Sequence, residues 1–109
     1  MNKEEKTSRK EGVQKKNTNQ IFIGNKPFMK YVIATIMQLK EESNNSATVK
    51  ARGKFISRAV DVAEVVKKKV KETDKIELKD KIKINTEGFI NEEGRNINIS
   101  TIEINLAKK

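Results

Sequence analysis

At 109 residues the chain has the length of one ordinary domain, and its 24 Lys and Arg against 15 Asp and Glu give a formal net charge of +9 and a pI near 9.8, which favours a polyanionic partner such as DNA, RNA or an acidic membrane surface. Without a single Cys or His, disulfides, thiolate nucleophiles, imidazole bases and the usual transition-metal ligands are excluded, and no cofactor or metal is expected. No apolar run has signal-peptide length at the start or approaches the roughly 20 residues of a membrane span, so the expectation is an intracellular protein with no membrane partner.

Residues 1–18 mix Lys, Glu, Ser and Asn with almost no large apolar side chain, too little to offset ordering entropy, and are expected to be a flexible basic and polar tail ahead of a domain over residues 19–109. Gln20-Ile21-Phe22-Ile23, stopped by Gly24, reads as a buried strand leading into a tight turn. Pro27 suits a first helical position, and Phe28 to Leu39 is apolar on nearly every side, which predicts a helix packed on more than one face: against the sheet, and against a partner subunit or the second helix.

After the polar connection from Glu41 to Ser46, Ala47-Thr48-Val49-Lys50-Ala51 reads as a second strand ending near Gly53. Ile56, Ala59, Val60, Ala63, Val66 and Val70 then follow the spacing of an amphipathic helix. Lys67, Lys68, Lys69 and Lys71 crowd its last turn, where they suit the negative end of the helix dipole and only secondarily suggest a nucleic-acid contact.

The final third alternates. Ile76, Leu78, Ile82 and Ile84 mark one strand face, and Ile97 and Ile99, then Ile102, Ile104 and Leu106, mark another, with a phase shift at Ser100-Thr101 that predicts a bulge or a twist. Asn85 to Asn96, with Gly88 and Gly94 as turn residues, lies between them, so the hairpin is expected to project beyond the body. The order β-α-β-α-β-β predicts an α+β two-layer sandwich with both helices on one face of a four-stranded sheet.

Two basic turns precede the helices: Gly24-Asn25-Lys26-Pro27, and Lys50-Ala51-Arg52-Gly53-Lys54 followed by Arg58. A helix N-terminus carries about half a positive charge and unpaired N–H donors, so helix stability alone calls for Asp or Glu there. Lys and Arg in their place point to a phosphate cradle. Along the hairpin, Lys79, Lys81, Lys83 and Arg95 are further phosphate candidates, at a reach of roughly 20 Å for six projecting residues. Phe89 and Ile90 near the tip either wedge against bases or fold back on the hairpin, while Glu87, Glu92 and Glu93, placed at the same tip, oppose close approach to phosphate.

Ile23-Gly24-Asn25-Lys26-Pro27 with Tyr31-Val32, Val49-Lys50-Ala51-Arg52-Gly53-Lys54, Ile56-Ser57-Arg58-Ala59-Val60-Asp61, Asp74-Lys75-Ile76-Glu77, Glu93-Gly94-Arg95 and Ser100-Thr101-Ile102-Glu103-Ile104, taken in order, resemble the Alba family of DNA/RNA-binding proteins over residues 19–109. The resemblance implies a fold like the C-terminal domain of translation initiation factor 3. It also implies a homodimer, or a heterodimer with a paralogue, that holds DNA or RNA backbones through basic loops and hairpin arms, largely without regard to sequence and without enzymatic activity. Carried over by motif, Lys26, Arg52 and Lys54 take the family's basic positions; with Asn25, Lys50, Arg58, Lys83 and Arg95 they make up the expected nucleic-acid-binding residues. Lys26 matches the second lysine of the family's Gly-Lys-Lys-Pro turn. Asn25 stands where the first would be, with a charge and an acetylation site lost. A bulky aromatic that some members use late in the second helix for contacts between dimers is Val70 here.

The role implied is in chromatin, or in translational and RNA regulation: in nucleus or cytoplasm for a eukaryotic protein, in nucleoid or cytoplasm for an archaeal one. The alternatives are an RNA-only scaffold like the related subunits of ribonuclease P, a lysine amine attacking an abasic-site aldehyde and promoting strand cleavage, and a structural partner with solvated lysines.

Overall fold

The computed structural model describes residues 19–41 and 43–109; the tail expected over residues 1–18 lies outside them. The elements are β1 (Gln20–Phe22), α1 (Phe28–Lys40), β2 (Ser46–Arg52), a single 3₁₀ turn (Gly53–Phe55), α2 (Ile56–Asp74), β3 (Leu78–Ile90) and β4 (Asn96–Lys108). The strands form one four-stranded sheet in the order β1-β2-β4-β3, with β1 parallel to β2 and the other pairs antiparallel. The chain is thus the α+β sandwich expected from its patterning. Pro27 flanks α1 as its cap and does not open it.

The helices cover one face of the sheet, which supplies Ala47, Val49 and Ala51 from β2 and Ile102, Ile104 and Leu106 from β4. Against these pack Tyr31, Val32 and Leu39 of α1 and Ala59, Val62, Ala63 and Val66 of α2. Each fully buried Val or Leu contributes about 1.5–3 kcal/mol, so this layer carries the fold. Thr35, buried on α1, satisfies its hydroxyl by donating to the Tyr31 carbonyl at 2.8 Å, one turn back. Val70 is buried beneath α2, where its carbonyl accepts the N–H groups of Lys75 and Ile76 in a left-handed cap.

Three further expectations change. Ile21-Phe22-Ile23 is an edge strand, not a wholly buried one: Ile21 and Ile23 turn inward and Phe22 points out, 57% exposed. The phase shift in β4 involves no bulge, since the β3–β4 register runs unbroken from Leu78 opposite Lys108 to Ile90 opposite Asn96. The apolar residues change face instead. Ile102, Ile104 and Leu106 lie under the helix layer, whereas Ile99 lies on the other face against Gly53, whose positive φ and closeness to Ile99 both favour glycine. Finally, the hairpin turn is only Asn91–Arg95, held by Asn91 Oδ1 accepting the N–H groups of Glu93 and Arg95 at 2.9 Å each. Gly88 is a strand residue opposite Asn98, and Glu87, opposite Ile99, sits further back along the arm than the tip.

Candidate nucleic-acid interface

Both turns that precede the helices are built by local hydrogen bonds. The N–H groups of Gly24 and Lys26 donate to the Tyr31 hydroxyl at 2.9 and 3.0 Å, so one side chain from the first turn of α1 folds the turn that leads into it. Arg58, on α2, donates to the Lys26 carbonyl at 2.7 Å and lays its guanidinium 5.8 Å from the centre of the Tyr31 ring. The β1–α1 turn is thereby tied to the start of α2. Neither helix has an acidic residue in its first turn or a side-chain cap, so the positive ends of two helix dipoles lie at this tied corner with Asn25, Lys26 and Lys54.

Arg58 therefore differs from the other residues predicted for the site: it is half-buried, and its guanidinium is engaged with the protein. Lys54 is exposed, its ammonium 5.4 Å from the centre of the Phe55 ring. Arg52 is exposed but pairs with Glu87 at 2.9 Å across the base of the arm. Lys50 pairs with Glu103 at 3.6 Å. The exposed Arg52–Glu87 pair is worth about 0–1 kcal/mol, so a phosphate competes readily for Arg52.

Register places the rest. Phe22, Lys50, Glu103 and Lys83 lie side by side in one row across β1, β2, β4 and β3, on the face away from the helices. Lys79 and Lys81 follow Lys83 along β3 on that face, by the two-residue alternation of a strand. Arg95 is at the hairpin turn, 3.9 Å from Glu93, apart from the corner cations. Phe89 is paired across the arm with Ile97, and Ile90 is exposed beside the turn.

The lysines at the end of α2 divide. Lys67 binds Asp80 of β3 and Glu64, the latter at 2.9 Å; these hydrogen bonds, Asp80 first, raise its pKa above the ordinary lysine value against the opposing effect of desolvation. That direction keeps its amine protonated, which is the wrong state for attack on an aldehyde. Lys71 lies 3.7 Å from Glu77, while Lys68 and Lys69 are exposed. Among the described residues no group of His, Cys, Asp or Glu is arranged to hold a metal, and no helix is long and apolar enough to cross a membrane.

Phe22, outside the predicted set, is exposed beside Lys50. Beside it runs a trough whose lining includes Phe22, Lys50, Arg52, Lys54, Glu87 and Ile99. Its signal in the sequence, an aromatic one strand position from Lys50, becomes visible only once β1 and β2 are known to be parallel neighbours.

The family model described as Alba matches residues 19–86. DNA/RNA-binding protein Alba from Methanocella arvoryzae is 50% identical over 90 residues, covering 83% of this chain and 90% of the relative. DNA/RNA-binding protein Alba 1 from Archaeoglobus fulgidus is 48% identical over 91 residues, covering 84% and 97%. Among solved structures, Alba from Thermoplasma volcanium superposes with a TM-score of 0.68 at 41% identity, covering 81% of this chain and 98% of that one. With more than half its length matched by the family model and about half of its aligned residues identical to those relatives, the chain belongs to the Alba family.

Proposed function

We propose that this chain is a non-enzymatic, dimeric nucleic-acid-binding protein that holds DNA and RNA by their phosphates, largely without regard to sequence. The relatives' names, DNA/RNA-binding protein Alba, support the ligand class. The observation that carries the mechanism is the Arg58 to Lys26 carbonyl bond, which seats two acid-free helix starts beside Asn25, Lys26 and Lys54. Lys26, Arg52 and Lys54 make the phosphate contacts in this reading, Asn25 adds a hydrogen bond without charge, and Arg58 acts by holding the corner together. Lys50, Lys83 and Arg95 extend the contacts over the sheet face and the arm. Contacts to phosphate fix position and carry no base information, which accounts for weak sequence preference. A module of this kind suits chromatin or RNA-regulatory work inside the cell.

Dimerisation is supported by apolar surface that one subunit leaves uncovered: Met29, Ile33 and Met37, one turn apart along α1, and Ile82 and Ile84 on the helix side of β3, which neither helix covers.

The direct test is Arg52→Ala combined with Lys54→Ala. Affinity for matched duplex DNA and for structured RNA falls for all sequences alike, and the salt slope on duplex flattens by about 3.6 in log–log terms, about 0.9 for each of the four phosphate contacts a dimer loses. Unchanged affinity in a double mutant with wild-type circular dichroism would refute the site.

A further inference from the structure

We infer that the trough beside Phe22 is a binding site for one unstacked nucleobase of a single-stranded DNA or RNA segment. The inference rests on the nucleic-acid reading above but adds a ligand state and a site to it.

Phe22 is not among the buried core residues. It projects from an edge strand on the face away from the helices, more than half exposed, with the Lys50 ammonium 5.5 Å from the centre of its ring. Such a cation–π contact at an exposed site is weak and gives no structural reason for a large apolar side chain there. The trough beside it has three chemical parts. Phe22 and Ile99 are apolar, Glu87 and Glu103 add carboxylates, and Lys50, Arg52 and Lys54 add cations, with Lys50 paired to Glu103 and Arg52 to Glu87.

This combination discriminates between parts of a nucleic acid. These carboxylates lower the positive potential inside the trough, so its interior suits phosphate less well than its rim does. They accept hydrogen bonds from the amino groups at the edges of adenine, cytosine and guanine, while the aromatic wall offers a stacking surface that any base can use. The cations then meet the phosphates on either side of the bound nucleotide. Strands about 4.8 Å apart bring the rim within one nucleotide's reach of the Phe22 ring. A base within a duplex cannot use this site, because both of its ring faces are covered by stacked neighbours and only its edges face the grooves. The occupant is therefore an unpaired segment: a loop, a bulge, an end or a locally opened strand.

The test compares wild type, Phe22→Ala and Phe22→Tyr by fluorescence anisotropy. The ligands are a short mixed-sequence oligodeoxynucleotide, the oligoribonucleotide of the same sequence, and the matched DNA duplex. Phe22→Ala is expected to lose roughly tenfold in affinity for one or both single strands, the loss of one base–aromatic stack. It keeps wild-type affinity for the duplex, and Phe22→Tyr, which preserves the ring, stays at the wild-type level throughout. The single strand that shows the loss identifies the sugar the site accepts. Equal affinities of Phe22→Ala and wild type for both single strands would overturn the inference, as would an equal loss for single strand and duplex. Failure of the wild-type protein to bind any of the three ligands would instead overturn the nucleic-acid reading beneath it.

Discussion

Tyr31 organises the candidate interface through one oxygen atom. Its hydroxyl takes the N–H groups of Gly24 and Lys26, and its ring supports the Arg58 guanidinium that holds the Lys26 carbonyl. Removing that oxygen leaves two partly buried backbone donors without their acceptor, a desolvation cost of about 1–3 kcal/mol for each donor that water fails to reach. Tyr31→Phe is therefore expected to lower the denaturant midpoint, with a stability loss of about 1–3 kcal/mol, and to weaken nucleic-acid binding although no cation has been removed. Chemical denaturation with a parallel binding titration measures both. A destabilised variant with unaltered affinity would show that the turn need not be held rigid for Lys26 to reach a phosphate.

The elements show how a surface network is read through pH. Lys67 of α2 is held by Asp80, at the start of β3, and by Glu64, one turn before it on the helix. Its raised pKa means that the folded state binds the proton more tightly than the unfolded chain. The stabilisation is fully present below the unfolded lysine value of about 10.4 and is lost as pH rises through the higher folded value. The stability difference between wild type and Lys67→Gln is thus expected to be level from neutral pH to about pH 10 and to shrink above it. Urea melts across that range measure it, and a difference already falling between about pH 7 and 9 would assign the dependence to another group.

Element identities were legible because periodicity follows burial: the helical spacing of Ile56 to Val70 and the alternation of Ile102, Ile104 and Leu106 both reflect one covered face. Where coverage ends, that reading fails. Ile97 and Ile99 change face because the helix layer stops short of the arm, which no local pattern records. Phe22 lies in an apolar run that reads as buried, and only the edge position of β1 exposes it. The cations of the two turns were legible from their neighbours in sequence. Their carboxylate partners, Glu87 for Arg52 and Glu103 for Lys50, depend on strand register and were not.

At the scale of the whole molecule, charge and assembly are coupled. If each subunit neutralises three phosphates, a dimer neutralises six and gives a log–log salt slope on duplex DNA of about −5.4, whereas a monomer gives about −2.7. The slope therefore reports how many subunits share the backbone. A charge placed in the stripe of Met29, Ile33 and Met37 tests where they meet, since an unpaired carboxylate is costly to bury in an apolar seam but nearly neutral on a solvated helix face. Ile33→Glu is expected to convert the dimer to a monomer in sedimentation equilibrium and to bring the slope from about −5.4 towards −2.7 in the same step. If the variant remains dimeric with its slope unchanged, the seam lies at Ile82 and Ile84, and Ile82→Glu becomes the substitution that must separate the subunits. A wild-type protein that sediments as a monomer and binds with the shallow slope would remove the dimer while leaving each subunit's basic corner intact.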